Sequence, residues 1–192
     1  MRNRQAEIVK QLTDRELVLN VYLTQAIMLI LAFVLGAFLF GEIWFLPKIV
    51  EFNWSDIVFL GGGAGLLVVL ADLLLMKSLP DEKLDDGGIN ERIFSKLSVQ
   101  HIFFLSFLIS FSEELMFRGV IQTHFGLILS SLLFAMIHVR YLSKPVLFTS
   151  VVGISFLLGT LYEVTGNVLV TMSAHFFIDF IMGCLIKRKT RL

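Results

Sequence analysis

The chain has 192 residues, and 56% of them are hydrophobic, which gives a mean hydropathy of +0.82. Soluble globular domains are far less apolar, so this composition excludes that class and predicts one polytopic membrane domain. The 16 basic and 16 acidic residues give a formal net charge of zero. We expect no nucleic acid partner, because no overall positive field would attract one.

The chain contains one cysteine, Cys184. A single cysteine excludes an internal disulfide bond and a metal cluster held by several thiolates. Because Cys184 stands near the end of an apolar run, we expect it to pack rather than to react.

The chain begins with a charged stretch, residues 1–16, that is typical of a short helical arm at a membrane surface. The apolar run that follows is longer than the roughly 7 to 15 residues of a signal-peptide core, and no small-x-small cleavage site comes after it. We therefore expect this run to stay in the protein as a membrane span.

Six apolar runs predict an all-α fold, a polytopic membrane bundle of about six transmembrane helices. These runs are residues 17–40, 56–79, 99–122, 126–139, 145–162 and 167–186. The fourth run is short, and we expect it to extend past Arg140, whose long side chain can reach the interface.

The basic residues are distributed unevenly between the two sides of this predicted bundle. Of the 16, Lys48 falls in a loop on the second side and Arg118 falls within a span, and the rest share the side of both termini. Basic residues concentrate on the cytoplasmic side of membrane proteins, so both termini are predicted to be cytoplasmic. The residues on that side are Arg2, Arg4, Lys10, Arg15, Lys77, Lys83, Arg92, Lys96, Arg140, Lys144, Lys187, Arg188, Lys189 and Arg191.

An acidic loop at residues 80–92 contains proline and glycine breakers and divides the chain. Residues 1–97 then hold the arm, two spans and this loop, and residues 98–192 hold four spans and a basic tail. Residues 61–65, GGGAG, lack the lysine of a phosphate-binding loop and lie in an apolar run. We expect these glycines to allow close packing between helices.

Residues 111–122, FSEELMFRGVIQ, place two adjacent glutamates and an arginine in a run that otherwise predicts a membrane helix. A charge at bilayer depth costs about 2.5 to 3.5 kcal/mol on insertion scales, so these residues need compensation and indicate a function. Glu114 and Arg118 stand four residues apart with the acid first, which favours an ion pair on one helix face. Glu113 lies about 100° around the helix and lacks that partner, so we interpret it as the candidate general base.

The same charges also fit a purely structural ion-pair network that holds helices together. Two further polar pairs, Phe134 with His138 and His175 with Asp179, stand four residues apart in other apolar runs, so each pair shares one helix face. Polar faces on three membrane helices are most simply explained by convergence on one site.

The depths of these residues can be counted along the helices. If the chain turns near Phe125, Glu113 and His138 both lie about 18 to 20 Å from the turn at 1.5 Å per residue, so they can meet. The same counting places His175 nearer mid-membrane than His138, which indicates tilted or broken helices or misplaced span ends.

The order Glu-Glu-x-x-x-Arg, Phe-x-x-x-His and His-x-x-x-Asp resembles the CPBP family of intramembrane proteases. This family groups CAAX proteases with bacteriocin-processing and self-immunity proteins and includes the type II CAAX prenyl endopeptidases. The similar region runs from about residue 98 to residue 186 and includes FRG at 117–119 and LYEVTGNVL at 161–169.

This resemblance implies an intramembrane endopeptidase that hydrolyses a peptide bond of a membrane-associated or lipidated protein or peptide. It implies that Glu113 and His138 activate a water molecule and that His175, with Asp179, stabilises the oxyanion. The supporting residues are then Glu114, Arg118 and Phe134.

Asp179 departs from the prenyl endopeptidase pattern, which has asparagine at this position. An ionised aspartate repels an oxyanion, so Asp179 is expected to be protonated, to orient His175 or to bind a cation. His138, His175 and Asp179 are also a permitted zinc-ligand set. The resemblance favours water activated by glutamate without a cofactor, and a divalent metal such as zinc stays open as the alternative.

His101 and His124 match none of these motifs, and we expect interfacial roles for them. A second class of function also stays open: a membrane immunity or scaffold protein that binds a peptide or membrane partner through the same polar pocket without catalysis. The expected partners are the lipid bilayer and a peptide or membrane-protein substrate, either a lipidated protein or a bacteriocin leader or signalling peptide. A compact chain without organelle targeting is typical of a bacterial cell membrane protein.

Overall fold

The computed structural model describes residues 11–189, and all regular secondary structure in that range is helical. The arm predicted at residues 1–16 lies largely outside the described residues, as does Arg191. The helices are α1 (Asp14–Phe40), α2 (Asp56–Ser78), α3 (Asp81–Leu84), α4 (Ile89–Phe94), α5 (Val99–Glu114), α6 (Thr123–Ile137), α7 (Pro145–Thr165) and α8 (Val168–Lys189). A π-helical segment, Leu115–Gln122, joins α5 to α6, and 3-10 turns lie at Leu46–Lys48 and Val139–Tyr141.

Within the described range, five helices are long and apolar enough to cross a membrane. They are Asp14–Phe40, Asp56–Ser78, Val99–Ile137, Pro145–Thr165 and Val168–Lys189. This architecture confirms the predicted all-α membrane bundle.

The third of these helices is bent at Gly126, where φ is 84°, a conformation that glycine adopts without steric cost. After the bend, α6 packs back against the π-helical segment. The rings of Phe117 and Phe134 lie 5.2 Å apart, and the Ser130 hydroxyl donates to the carbonyl oxygen of Phe117 at 2.6 Å. The predicted runs at 99–122 and 126–139 are therefore two limbs of one bent helix.

Contacts between loops define two ends of the bundle. The end where α1 begins, called here the basic end, also holds the loop between α2 and α5, the turn after α6 and the end of α8. Its contacts are Asp14 with Arg92 (2.9 Å), the Asn90 amide with the Tyr141 hydroxyl (3.2 Å), and Lys187 with the Leu97 carbonyl oxygen. At the opposite end, the Glu51 amide donates to Asn167 at 3.2 Å, which joins the loop after α1 to the turn before α8. Within residues 11–189, the chain thus passes six times between the two ends.

The second limb of the bent helix ends earlier than the sequence predicted. Its last helical residue is Ile137, and a 3-10 turn follows, so the prediction that this run extends past Arg140 is wrong. The backbone of His138 has left the helix, with ψ at 52°, and its ring bonds to the Phe134 carbonyl oxygen at 2.8 Å. A side chain that bonds to a helix carbonyl competes with the next backbone bond and favours a helix end.

The glycines at 61–65 form the contact between α2 and α8. A Cβ atom added at Gly61 would lie 2.4 Å from the Val170 carbonyl oxygen, and one added at Gly65 would lie 2.6 Å from the Ala174 carbonyl oxygen. The predicted role in close helix packing is confirmed, because only glycine lets the two backbones approach this closely.

α1 contacts the bundle through one narrow face. Its buried residues are Leu17, Gln25, Ala32 and Gly36, and its other faces carry exposed leucine, isoleucine, valine and phenylalanine side chains. Such apolar exposure fits contact with lipid. Gln25 is the one polar residue of this buried face, and its side chain contacts Glu113 of the candidate site.

Candidate active site

The fold brings the predicted polar residues of three helices into one buried cluster. Glu113 and Glu114 are the last residues of α5, Arg118 lies in the π-helical segment, and His138 follows α6. His175 and Asp179 lie on α8. The π-helical turn begins directly after Glu114, and such turns occur frequently at functional sites.

Glu114 is fully buried, and both of its carboxylate oxygens are bonded. Arg118 Nε donates to Oε2 at 3.2 Å, which is the ion pair predicted from the spacing of four residues. His175 Nδ1 donates to Oε1 at 2.9 Å, a contact between α5 and α8 that the sequence did not predict. Glu114 therefore links the arginine to the histidine.

The guanidinium of Arg118 makes further contacts with two other helices. Nη1 reaches the Ser130 hydroxyl of α6 at 3.5 Å, and Nη2 donates to the Ser155 hydroxyl of α7 at 3.1 Å. The guanidinium carbon also lies 5.0 Å from the centre of the Phe134 ring. Sequence reasoning missed both serines, although a small polar residue in an apolar span was the available signal.

Glu113 has only one bonded oxygen. The side-chain amide of Gln25 on α1 donates to Oε1 at 3.1 Å. Oε2 is buried and has no hydrogen-bond partner within residues 11–189. Because nearly all buried polar atoms in proteins are bonded, an unpaired carboxylate oxygen indicates a group that acts on something else.

His138 is partly buried, and the charge of Glu113 acts on its imidazole. Because the Phe134 carbonyl oxygen can only accept, Nδ1 carries a proton, and in the neutral ring Nε2 keeps its lone pair. His138 lies beyond the last residue of the spanning helix. Burial is the largest influence on this ring and lowers the pKa of His138, against the opposing effect of Glu113, so the neutral form is favoured.

His175 stands between two carboxylates. Its Nδ1 bonds to Glu114, and its Nε2 lies 3.6 Å from Asp179 Oδ2, a separation that is too long for a hydrogen bond. The ring of Phe134 packs edge-on against His175, with 6.0 Å between centres. The His175–Asp179 pair thus shares one helix face, as predicted.

The alternative metal-ligand set is not assembled. Among residues 11–189, no three histidine, cysteine or carboxylate side chains lie close enough together to hold one metal ion. His175 is already bonded to Glu114 through one ring nitrogen.

The two remaining histidines bond elsewhere. His101 Nε2 lies 2.8 Å from the Tyr22 hydroxyl, and His124 Nδ1 lies 2.9 Å from the Val120 carbonyl oxygen. Both have structural contacts, in line with their lack of a motif.

The cluster contains the parts of a general base site. It holds an unpaired carboxylate oxygen on Glu113 and an imidazole lone pair on His138. His175 is a second imidazole and is bonded to the buried pair of Glu114 and Arg118. Such a set can take a proton from water and bind a developing negative charge.

The chain is similar to known proteins over this same region. The model of the family described as Type II CAAX prenyl endopeptidase Rce1-like matches residues 95–181. The "Uncharacterized protein YpbD" of Bacillus subtilis (strain 168) is 47% identical over 165 residues, which cover 86% of this chain and 87% of that protein. No solved structure matches the chain. The matched range spans the glutamate pair, both cluster histidines and Asp179, and the chain belongs to the Rce1-like family of type II CAAX prenyl endopeptidases.

Proposed function

We propose that the protein is an intramembrane endopeptidase that hydrolyses a peptide bond of a membrane-associated or lipidated protein or peptide. Membership of the Rce1-like family supports this class of reaction. In this chain the proposal depends most on the unpaired Oε2 of Glu113, a residue whose charge acts on His138. A static ion-pair network is expected to bond every buried carboxylate oxygen.

In the first step, Glu113 and His138 activate a water molecule. Glu113 Oε2 takes a proton from the water, whose oxygen attacks the carbonyl carbon of the substrate. The lone pair on His138 Nε2 accepts the second water proton in a hydrogen bond and orients the water. The carbonyl π bond breaks, and its electron pair moves to the oxygen.

The resulting oxyanion is stabilised by His175. Its Nδ1 already donates to Glu114, so Nε2 can donate to the oxyanion only when the ring carries both protons. Glu114 and Asp179 provide the negative charge that balances this imidazolium. Asp179 therefore acts by orienting and balancing His175, which supports one of the three roles expected for it.

In the last step, the tetrahedral intermediate collapses. The carbonyl double bond forms again, the carbon–nitrogen bond breaks, and the proton held by Glu113 moves to the leaving amine. The products are a new carboxyl terminus and a new amino terminus, and Glu113 returns to its ionised state.

The orientation in the membrane follows from the charge distribution. The basic end carries the contacts of the α2–α5 loop and of Tyr141, which lies next to His138. We place this end and both termini in the cytoplasm of a bacterial cell, following the positive-inside rule. The substrate then reaches the site from the bilayer or its cytoplasmic face.

A comparison of cells tests the proposal. Cells that lack the protein are complemented with wild type or with Glu113→Gln, and new peptide termini in the membrane fraction are mapped by mass spectrometry. Cleaved termini that appear with wild type and disappear with Glu113→Gln support the protease. If Glu113→Gln restores every cellular property of wild type, the non-catalytic binding protein becomes the better account.

A further inference from the structure

Gln25 contacts the candidate base from outside the matched region. The family model covers residues 95–181, whereas Gln25 lies on α1. It is only 4% exposed and belongs to the narrow face through which α1 packs on the bundle. A polar side chain within a membrane span is costly and indicates a function.

The amide of Gln25 bridges two neighbouring residues of α5. Its Nε2 donates to Glu113 Oε1 at 3.1 Å, and its Oε1 accepts from the Ser112 hydroxyl. The reversed amide would set its oxygen against the carboxylate of Glu113, so repulsion excludes that orientation. The amide thus holds one carboxylate oxygen and leaves the other unpaired.

We infer that Gln25 is a positioning residue that fixes the carboxylate of Glu113 so that Oε2 faces the substrate water. This inference rests on the proposed function, in which Glu113 is the base. The charged groups that act with Glu113 are Glu114 and Arg118 on its own limb, His138 after α6, and His175 and Asp179 on α8. Gln25 is an uncharged residue on α1 that contacts Glu113 directly.

The expected consequence is a loss in turnover and not in substrate binding. Without the amide, the carboxylate can rotate away from its productive orientation, and small misplacements of a catalytic group lower rates by up to about 100-fold. We expect Gln25→Leu to lower kcat by roughly 10- to 100-fold. KM should stay within about threefold, because Gln25 is enclosed between helices and acts through Glu113.

Gln122→Leu is the matched control. Gln122 is equally buried, at 4% exposure, and its Nε2 donates to the Gly159 carbonyl oxygen at 2.7 Å. It is the last residue of the π-helical segment, whereas Glu113 precedes the start of that segment. Gln25→Leu loses two buried hydrogen bonds and Gln122→Leu loses one, so both variants are expected to lose thermal stability. Only Gln25→Leu should lower kcat in the folded protein. The probe is an internally quenched peptide that carries a cleavage sequence mapped in the cellular comparison.

Infrared spectroscopy of the purified protein in lipid nanodiscs tests the contact without any substrate. The carboxyl band of Glu113 is assigned by its loss in Glu113→Gln. We expect this band to shift in Gln25→Leu and to keep its position in Gln122→Leu. An unshifted band in Gln25→Leu overturns the inference.

The two measurements separate the inference from the proposed function. Cleavage at the wild-type rate in Glu113→Gln overturns the part of the proposed function in which Glu113 is the base, whatever the infrared result. If Glu113→Gln abolishes cleavage while Gln25→Leu keeps the wild-type kcat, only the inference about Gln25 is overturned. If Gln25→Leu does not fold, Gln25→Asn replaces it, because its amide is one methylene too short to reach Glu113, and the same outcomes apply.

Discussion

Glu113 and Glu114 are neighbours in sequence with opposite environments in the fold. Glu114 has both oxygens bonded, to Arg118 and to His175, and no exposed surface. Glu113 has one oxygen bonded to Gln25 and the other unpaired. The first arrangement is suited to holding helices together, and the second is suited to proton transfer.

Glu114→Gln is therefore expected to reduce stability. A neutral amide cannot balance the buried charge of Arg118, and its NH₂ group would face a donor on Arg118 or on His175. Breaking one partner of a buried pair costs about 3 to 5 kcal/mol. Thermal unfolding in detergent measures the loss, with Glu163→Gln as the control, because Glu163 is exposed near the end of α7. Equal melting temperatures for Glu114→Gln and wild type would contradict a structural role.

Most of the charged cluster could be predicted from sequence. The i, i+4 spacing of Glu114 with Arg118 and of His175 with Asp179 sets each pair on one face, and both contacts are present. The bond between Glu114 and His175 could not be predicted, because it joins two residues that are 61 positions apart in the sequence. Gln25 was missed for the same reason, since the direction in which a single amide faces depends on how α1 packs.

The elements that shape the site are interruptions of regular helix. The π-helical segment carries Arg118, Gly126 turns the chain back, and the end of α6 at Ile137 releases His138 into a turn. The apolar runs predicted the two limbs, with a turn near Phe125, but not the early end of the second. That end depends on a bond between a side chain and the backbone, which a pattern of apolar residues does not reveal.

The contact between α2 and α8 can be tested with single methyl groups. Gly65→Ala adds a Cβ that would lie 2.6 Å from the Ala174 carbonyl oxygen, so the helices must separate. We expect a loss of about 1 to 3 kcal/mol, as for other overpacked interiors. Gly63→Ala is the control, because its Cβ would meet no atom within 4 Å. If both variants had the melting temperature of wild type, the result would contradict this packing.

For the whole molecule, the sequence predicted the fold class and predicted which loops lie together at one end of the bundle. The helices of the described range form six passes between two ends, and the basic end collects loops that the charge pattern had grouped together. The sequence could not predict that five candidate spans provide these passes. This outcome depends on the fold at Gly126, where two short limbs count as one helix.

Reporter fusions test the orientation. With an even number of passes and the basic end inside, reporters at residue 1 and at residue 192 should both be cytoplasmic. A reporter inserted in the loop near Lys48 should be external, and it serves as the positive control for export. Termini on opposite sides would contradict the six passes, and two external termini would contradict the assignment of the basic end.

The most direct measurement of the central claim is peptide cleavage by purified Glu113→Gln in lipid nanodiscs. Glutamine keeps the size of the side chain and still lies beside Gln25, but it cannot accept the proton of water. We expect the melting temperature to stay close to that of wild type and turnover to fall by about 100-fold or more. A well-folded Glu113→Gln protein that cleaves the peptide at the wild-type rate would show that Glu113 is not the base.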